Sequence, residues 1–139
     1  MKLDGQQPHI LVVNDSPEIL ALKREIFEEE GFQVSTRINR DVDLDEIVRI
    51  GPNLVILDYS DEAESALLGQ LRGDPRTASI PIVLCTGAIR KVEEIRPQIE
   101  AMGVRVVYKP FDIEDLVGVV REALDMDSER QETPPPGAA

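Results

Sequence analysis

Five short runs rich in valine and isoleucine, at 9–13, 32–36, 54–57, 82–85 and 104–108, alternate with stretches of helical apolar spacing. That alternation leaves few folds open. Strand and helix in strict turn build parallel strands joined by right-handed crossovers, here a three-layer, doubly wound α/β domain with helices on both faces of a five-stranded sheet. Leu54-Val55-Ile56-Leu57 carries no polar residue, as a strand covered on both sides requires. The next residue is Asp58, and a carboxylate beside a buried strand needs something to pair with it.

The helices carry their own start and stop signals. In the first, Ser16 is the expected N-cap, Pro17 the first helical residue and Gly31 the end. Ile19, Leu22 and Ile26 form its expected apolar stripe, with Leu20 and Phe27 alongside. A short helix covers 43–50, stopped by Gly51-Pro52, and a third covers 62–72, with Asp61, Glu62 and Glu64 near the positive end of its dipole. In the fourth, Val92, Ile95, Ile99 and Met102 share a stripe, but Pro97 falls inside it and should kink or divide the element. The last starts at Asp112, with Asp115 three residues on, and is expected to bury Ile113, Leu116, Val117, Val120 and Leu124. Beyond Met126 the pattern stops in "DSERQETPPPGAA", which reads as a disordered Pro-rich tail or linker. The expected organisation is an N-terminal extension over 1–8, one domain over 9–126 and the tail over 127–139.

Charge and composition exclude more than they identify. A formal net charge of −12 argues against nucleic acid or an anionic membrane as direct partner, and no apolar run reaches membrane-spanning length. The N-terminus lacks the basic-then-apolar pattern of a secretion signal. A single cysteine, Cys85, excludes an internal disulfide framework and suits a reducing cytoplasm.

Ligands of open α/β sheets collect at the carboxyl ends of the strands, where strand order reverses. The first strand delivers Asn14 and Asp15 there, the third Asp58, the fourth Thr86 and the fifth Lys109. In a 2-1-3-4-5 order the first and third strands are neighbours, so Asp15 and Asp58 converge and repel unless a cation sits between them. Hard oxygen ligands that leave room for water and phosphate favour Mg²⁺. A carboxylate so held, with Lys109 beside it, can attack a phosphoryl group, and Thr86 can hydrogen-bond the product.

The set "ILVVND", "NLVILD", "PIVLCTGA" and "VVYKPF", in this order, resembles the receiver domain of bacterial two-component response regulators over roughly residues 9–125. Each motif alone is weak; four in order, each at a strand end, are specific. The resemblance implies a flavodoxin-like fold and a signalling switch, not an enzyme with a separate substrate; with only the Pro-rich end after the last helix, a stand-alone module or phosphorelay shuttle is expected. It implies phosphoryl transfer from a phosphohistidine to Asp58, and Mg²⁺ held by Asp15, Asp58 and the backbone carbonyl of Ser60. It assigns Thr86 and Lys109 to the phosphoryl group, gives Pro110 a cis peptide and Gly87 a structural place at the site. The implied partners are a sensor histidine kinase or a histidine phosphotransfer protein, an unnamed downstream protein, and a homodimer as an open possibility.

The chain departs from the family in three places. Asn14 stands where a second acid is usual; it can hold a metal-bound water, or it can be a turn residue only. "YSDEAES" replaces the Met-Pro pair that usually follows the acceptor. Val106 replaces an aromatic residue that swings with the threonine, and Tyr108 lies about 6.6 Å further along the strand. Ser60, Gly87 and Ala88 are small, so a short phosphorylated lifetime is expected.

Other readings compete. A pseudo-receiver, binding proteins without phosphorylation, is favoured by Asn14 and Val106 and opposed by Asp15, Asp58, Thr86 and Lys109. A haloacid-dehalogenase-type hydrolase would need an aspartate at Ser60, and a dinucleotide-binding domain would need a Gly-rich turn after the first strand. Cys85 reads as core and His9 lies at the end of its strand opposite the site. Arg72-Gly73-Asp74 resembles an adhesion tripeptide, but Gly73 is better read as a helix stop.

Overall fold

The computed structural model of the chain describes residues 7–38, 41–59, 62–87, 89–109 and 112–132. Strands β1 (His9–Val13), β2 (Gln33–Arg37), β3 (Leu54–Tyr59), β4 (Ile82–Thr86) and β5 (Val104–Tyr108) form one parallel sheet in the order β2-β1-β3-β4-β5. Helices α1 (Pro17–Glu29), α2 (Leu44–Ile50), α3 (Glu62–Gly73), α4 (Ile89–Ala101) and α5 (Ile113–Glu132) connect and follow them. The chain is therefore a doubly wound, flavodoxin-like α/β domain.

Strand alternation sorts the core into two layers. Ile10, Val12, Ile56, Val83 and Cys85 face one layer with Leu20 and Phe27 of α1 and Leu116 and Val120 of α5. Leu11, Val13, Leu57 and Leu84 face the other, with Ile47 of α2, Leu68 and Leu71 of α3, and Val92 and Ile99 of α4. Each fully buried side chain of this kind contributes about 1.5–3 kcal/mol. Register brings the site together: Val13 pairs with Leu57, Asp58 with Cys85, and Thr86 with Tyr108.

The helix signals work as local chemistry requires. Ser16 Oγ accepts from the Ile19 amide, and Asp43 Oδ1 from the Glu46 amide at 2.8 Å. Gly51 ends α2 at φ 63°, a left-handed conformation that costs a β-carbon dearly.

Several expectations need correcting. α1 buries Leu20, Lys23 and Phe27, while Ile19 and Leu22 are 38% and 51% exposed. Two stripes with the same spacing compete on this helix, and the one containing Phe27 wins. Its ring stacks edge-on against Phe32 at 5.9 Å, and the aromatic surface outweighs Ile19 and Leu22. Ile113 is likewise exposed, standing in the first turn of α5 before the helix meets the sheet. Pro97 does not divide α4, which runs unbroken past it. The proline is exposed, so the carbonyl one turn back that it leaves without a donor lies on the water side. β2 begins one residue later than expected, because Phe32 turns into the core beside Phe27. α5 continues to Glu132, past the boundary expected at 126.

Candidate functional site

β1 and β3 end side by side. One step beyond the Val13–Leu57 pair come Asn14 and Asp58, followed on the first strand by Asp15. Asn14 is 5% exposed, and its Oδ1 accepts from the Ser16 amide at 2.8 Å. This turn leads the chain into the Ser16 cap, so the amide oxygen already has a structural duty. Asp15 is exposed at the rim.

Asp58 continues the alternation of Leu54 and Ile56 and so faces the α1 and α5 side of the sheet. Its carboxylate is mostly buried, and Lys109 Nζ lies 2.6 Å from Oδ1. The lysine follows β5 directly, and its amide donates to the Thr86 carbonyl at 2.8 Å, which extends the β4–β5 ladder by one bond. The Nζ–Oδ1 contact is an ion pair outside hydrogen-bond angles, which leaves the buried Oδ1 with no directional donor. A buried carboxylate oxygen in that condition is costly unless a ligand also reaches it.

Thr86 is fully buried, one residue beyond Cys85, and by strand alternation stands on the α3 and α4 side, opposite Asp58. Gly87 lies against Lys109: a β-carbon placed there would sit 3.9 Å from the lysine Cβ, an ordinary contact. Ser60 and Pro110 lie outside the described residues. The structure thus brings Asp58 and Lys109 into contact, sets Asn14 and Asp15 beside them on the next strand, and ends β4, the strand between theirs, with the buried Thr86.

Among the described residues, no group of three or more His, Cys, Asp or Glu side chains is placed to hold a metal. Mg²⁺ does not need one, since it keeps several waters and takes one or two carboxylates. The orphaned Asp58 Oδ1 and the neighbouring Asp15 carboxylate are hard oxygen donors of that kind, so the residues present fit the ion.

Two features carried no clear sequence signal. Lys23 is buried, and its place in the Leu20–Phe27 spacing was the one available hint. Tyr108 donates its hydroxyl to Glu93 of α4, with Arg96 over its ring at 5.7 Å. Residue spacing says nothing about a contact between a helix and a later strand. Cys85 is fully buried and free, as expected of core, and burial pushes its thiol up. His9 bonds Ser35 Oγ at 2.7 Å through Nε2, far from the site.

Comparison with known proteins agrees with this geometry. A family model described as the response regulator receiver domain matches residues 10–121. The Phosphate regulon transcriptional regulatory protein PhoB of Rhizobium meliloti is 32% identical over 84% of this chain and 52% of its own length. Sporulation initiation phosphotransferase F of Bacillus subtilis is 28% identical over 86% of this chain and 95% of its own. The chain spans about half the length of the transcriptional regulators it matches, 49% for RpaA of a Synechocystis species and 52% for PhoB. Among solved structures, a CheY-like receiver domain protein from Methanospirillum hungatei superposes with a TM-score of 0.75 at 23% identity, over 90% of this chain and 99% of that one. A sensor protein from a Polaromonas species gives 0.76 at 24% identity, over 88% and 99%. Motif order, strand topology and the matched family agree: the chain belongs to the response regulator receiver domain family of two-component signalling.

Proposed function

We propose that this chain accepts a phosphoryl group from a phosphohistidine onto Asp58, in an Mg²⁺-dependent two-component or phosphorelay pathway. The observation that carries the reading is the 2.6 Å contact between Lys109 Nζ and Asp58 Oδ1. An Asp58 oxygen attacks phosphorus, the new O–P bond forms as the donor P–N bond breaks, and the imidazole leaves and takes up a proton. Lys109 stands where charge develops on the transferring oxygens, while the buried walls of β3 and β4 exclude water beneath the acceptor. Mg²⁺, held by Asp15, Asp58 and the Ser60 carbonyl, with Asn14 through a water, would neutralise phosphoryl charge and fix its orientation.

The partners we propose are a sensor histidine kinase or a histidine phosphotransfer protein, with a stand-alone role supported by the likeness to the sporulation phosphotransferase along nearly its whole length. The proposed compartment is the cytoplasm, which suits a chain with one free, buried thiol. Thr86 would follow the product by hydrogen bonding, and the acyl phosphate would be short-lived because Asp15 and Gly87 leave the rim open.

One observation favours the pseudo-receiver reading: Asn14 Oδ1 is committed to the Ser16 amide, so the amide adds little to a metal site. Incubation with a small phosphodonor and Mg²⁺, followed by intact mass measurement, separates the two. A single phosphate adduct, lost in Asp58→Asn, is the expected result. No adduct at any Mg²⁺ concentration leaves only the binding module.

A further inference from the structure

α1 turns Leu20, Lys23 and Phe27 toward the sheet, and Lys23 is only 7% exposed. Leu20 and Phe27 pack in the layer that contains Ile56, Val83 and Cys85, so the lysine stem between them enters that layer too. Its Nζ is buried and has no hydrogen-bond partner. Asp58 and Lys109 bound the same layer at its upper edge. Asp58 pairs with Cys85 across β3 and β4, and Lys109 follows the strand on the other side. The Cys85 thiol, pushed up first by burial, is raised further by Asp58 and drawn down by both Lys23 and Lys109. All three charges are therefore felt at one buried sulfur.

An amine with no partner in an apolar layer is costly, and a leucine or methionine would fill the same space without that cost. Transfer of a phosphoryl group to Asp58 replaces one negative charge by about two. The low-dielectric layer then transmits the added charge to the amine with little screening.

We infer that Lys23 is a buried counter-charge for the phosphorylated acceptor, acting through the α1-side layer from below Asp58 while Lys109 acts by contact at the rim. The inference rests on the reading of Asp58 as phosphoacceptor. It gives a use to an amine that otherwise only destabilises the resting protein. With Asn14 in place of an acid, the site sets the carboxylates of Asp15 and Asp58 against two amines, which favours an incoming anion.

The test uses beryllofluoride with Mg²⁺ as the phosphoryl probe, on the whole chain and on Lys23→Met. The methionine variant should melt higher than the parent when free, yet bind beryllofluoride about three- to tenfold more weakly. The difference should change little with added salt, because the amine is buried. A lysine with a structural role only would shift free and bound protein alike, so equal affinity in the two proteins overturns the inference and leaves the acceptor reading intact. A folded parent chain that binds no beryllofluoride removes both. Should Lys23→Met not fold, the Lys23 side-chain ¹⁵N resonance of the parent decides: it should shift on beryllofluoride binding, and an unmoved resonance overturns the proposal.

Discussion

Tyr108 donates its hydroxyl hydrogen to the Glu93 carboxylate, so the end of β5 is tied to α4 by a ring that stands two residues beyond Val106. Arg96 completes the contact, bonding Glu93 at 2.7 Å, the Tyr108 hydroxyl at 3.3 Å and Glu100 at 2.9 Å. α4 fully buries Val92 and Ile99 only, so its outer half depends on this polar lattice. Tyr108 and Thr86 are Cα partners on adjacent strands, which places the lattice one strand from the residue expected to follow the phosphoryl group.

Tyr108→Phe should loosen α4 without unfolding the sheet. Amide hydrogen exchange along 89–101 should quicken while β1 and β3 stay protected. The tie is also acid-sensitive. The Tyr108 hydroxyl, followed by Arg96, holds the Glu93 carboxyl below its usual range. A carboxyl lowered on folding contributes stability that is present above its unfolded pKa of about 4.3 and lost as pH falls through the lowered value. Exchange in α4 should therefore rise below that ordinary value in the parent chain, and less so in Tyr108→Phe. Identical acid profiles would contradict the assignment.

Lys109→Ala should leave the buried Asp58 oxygen without a cation in direct contact. Phosphorylation by a small donor should slow by about a hundredfold, the loss typical of removing one donor from a site of developing charge. Rapid-quench mass measurement of adduct formation checks this. An unchanged rate would show that the ion pair is structural.

Asn14→Asp should keep the turn, because a carboxylate accepts the Ser16 amide as well as the present amide oxygen does. The added charge beside Asp58 should tighten Mg²⁺ binding several-fold and lower the melting temperature in metal-free buffer through like-charge repulsion. Calorimetric titration with Mg²⁺, paired with melting in chelator, reads both effects. Equal Mg²⁺ affinity would show that the missing acid does not limit the site.

Arg72→Ala tests a structural node. The guanidinium donates to the carbonyls of Met102 at 2.7 Å, Ala78 at 3.0 Å and Ile80 at 2.7 Å, closing the α3–β4 loop against the end of α4. Its loss should cost about 2–3 kcal/mol, or roughly 8–12 °C in melting temperature, with phosphorylation unaffected. A shift within about 2 °C would mean that water replaces the guanidinium at little cost.

Much of this arrangement was legible in the residue order. Apolar runs bounded by Gly, Pro and Asp place β1 and β5 to the residue and β4 within one, while β3 runs two residues past its expected end, through Asp58 to Tyr59, because its pairing with β4 continues there. Helix caps are equally local: Ser16, Pro17, Asp43 and Gly51 act on backbone groups within a few positions. The strand ends that carry Asp15, Asp58 and Lys109 follow from the same alternation, whereas the order β2-β1-β3-β4-β5 came with the likeness to receiver domains, because right-handed crossovers are common to more than one strand order.

Which face of α1 turns inward was not legible. Ile19-Leu22-Ile26 and Leu20-Lys23-Phe27 have equal spacing, and the choice depends on Phe32, which turns in from the connection before β2. Nor could spacing reveal that Tyr108 meets Glu93, or that Arg72 reaches two carbonyls of the α3–β4 loop and one at the end of α4. Periodicity records how one segment presents itself to an apolar layer. The partner of a polar group is chosen by three-dimensional packing, where residues distant in the chain compete for the same donor.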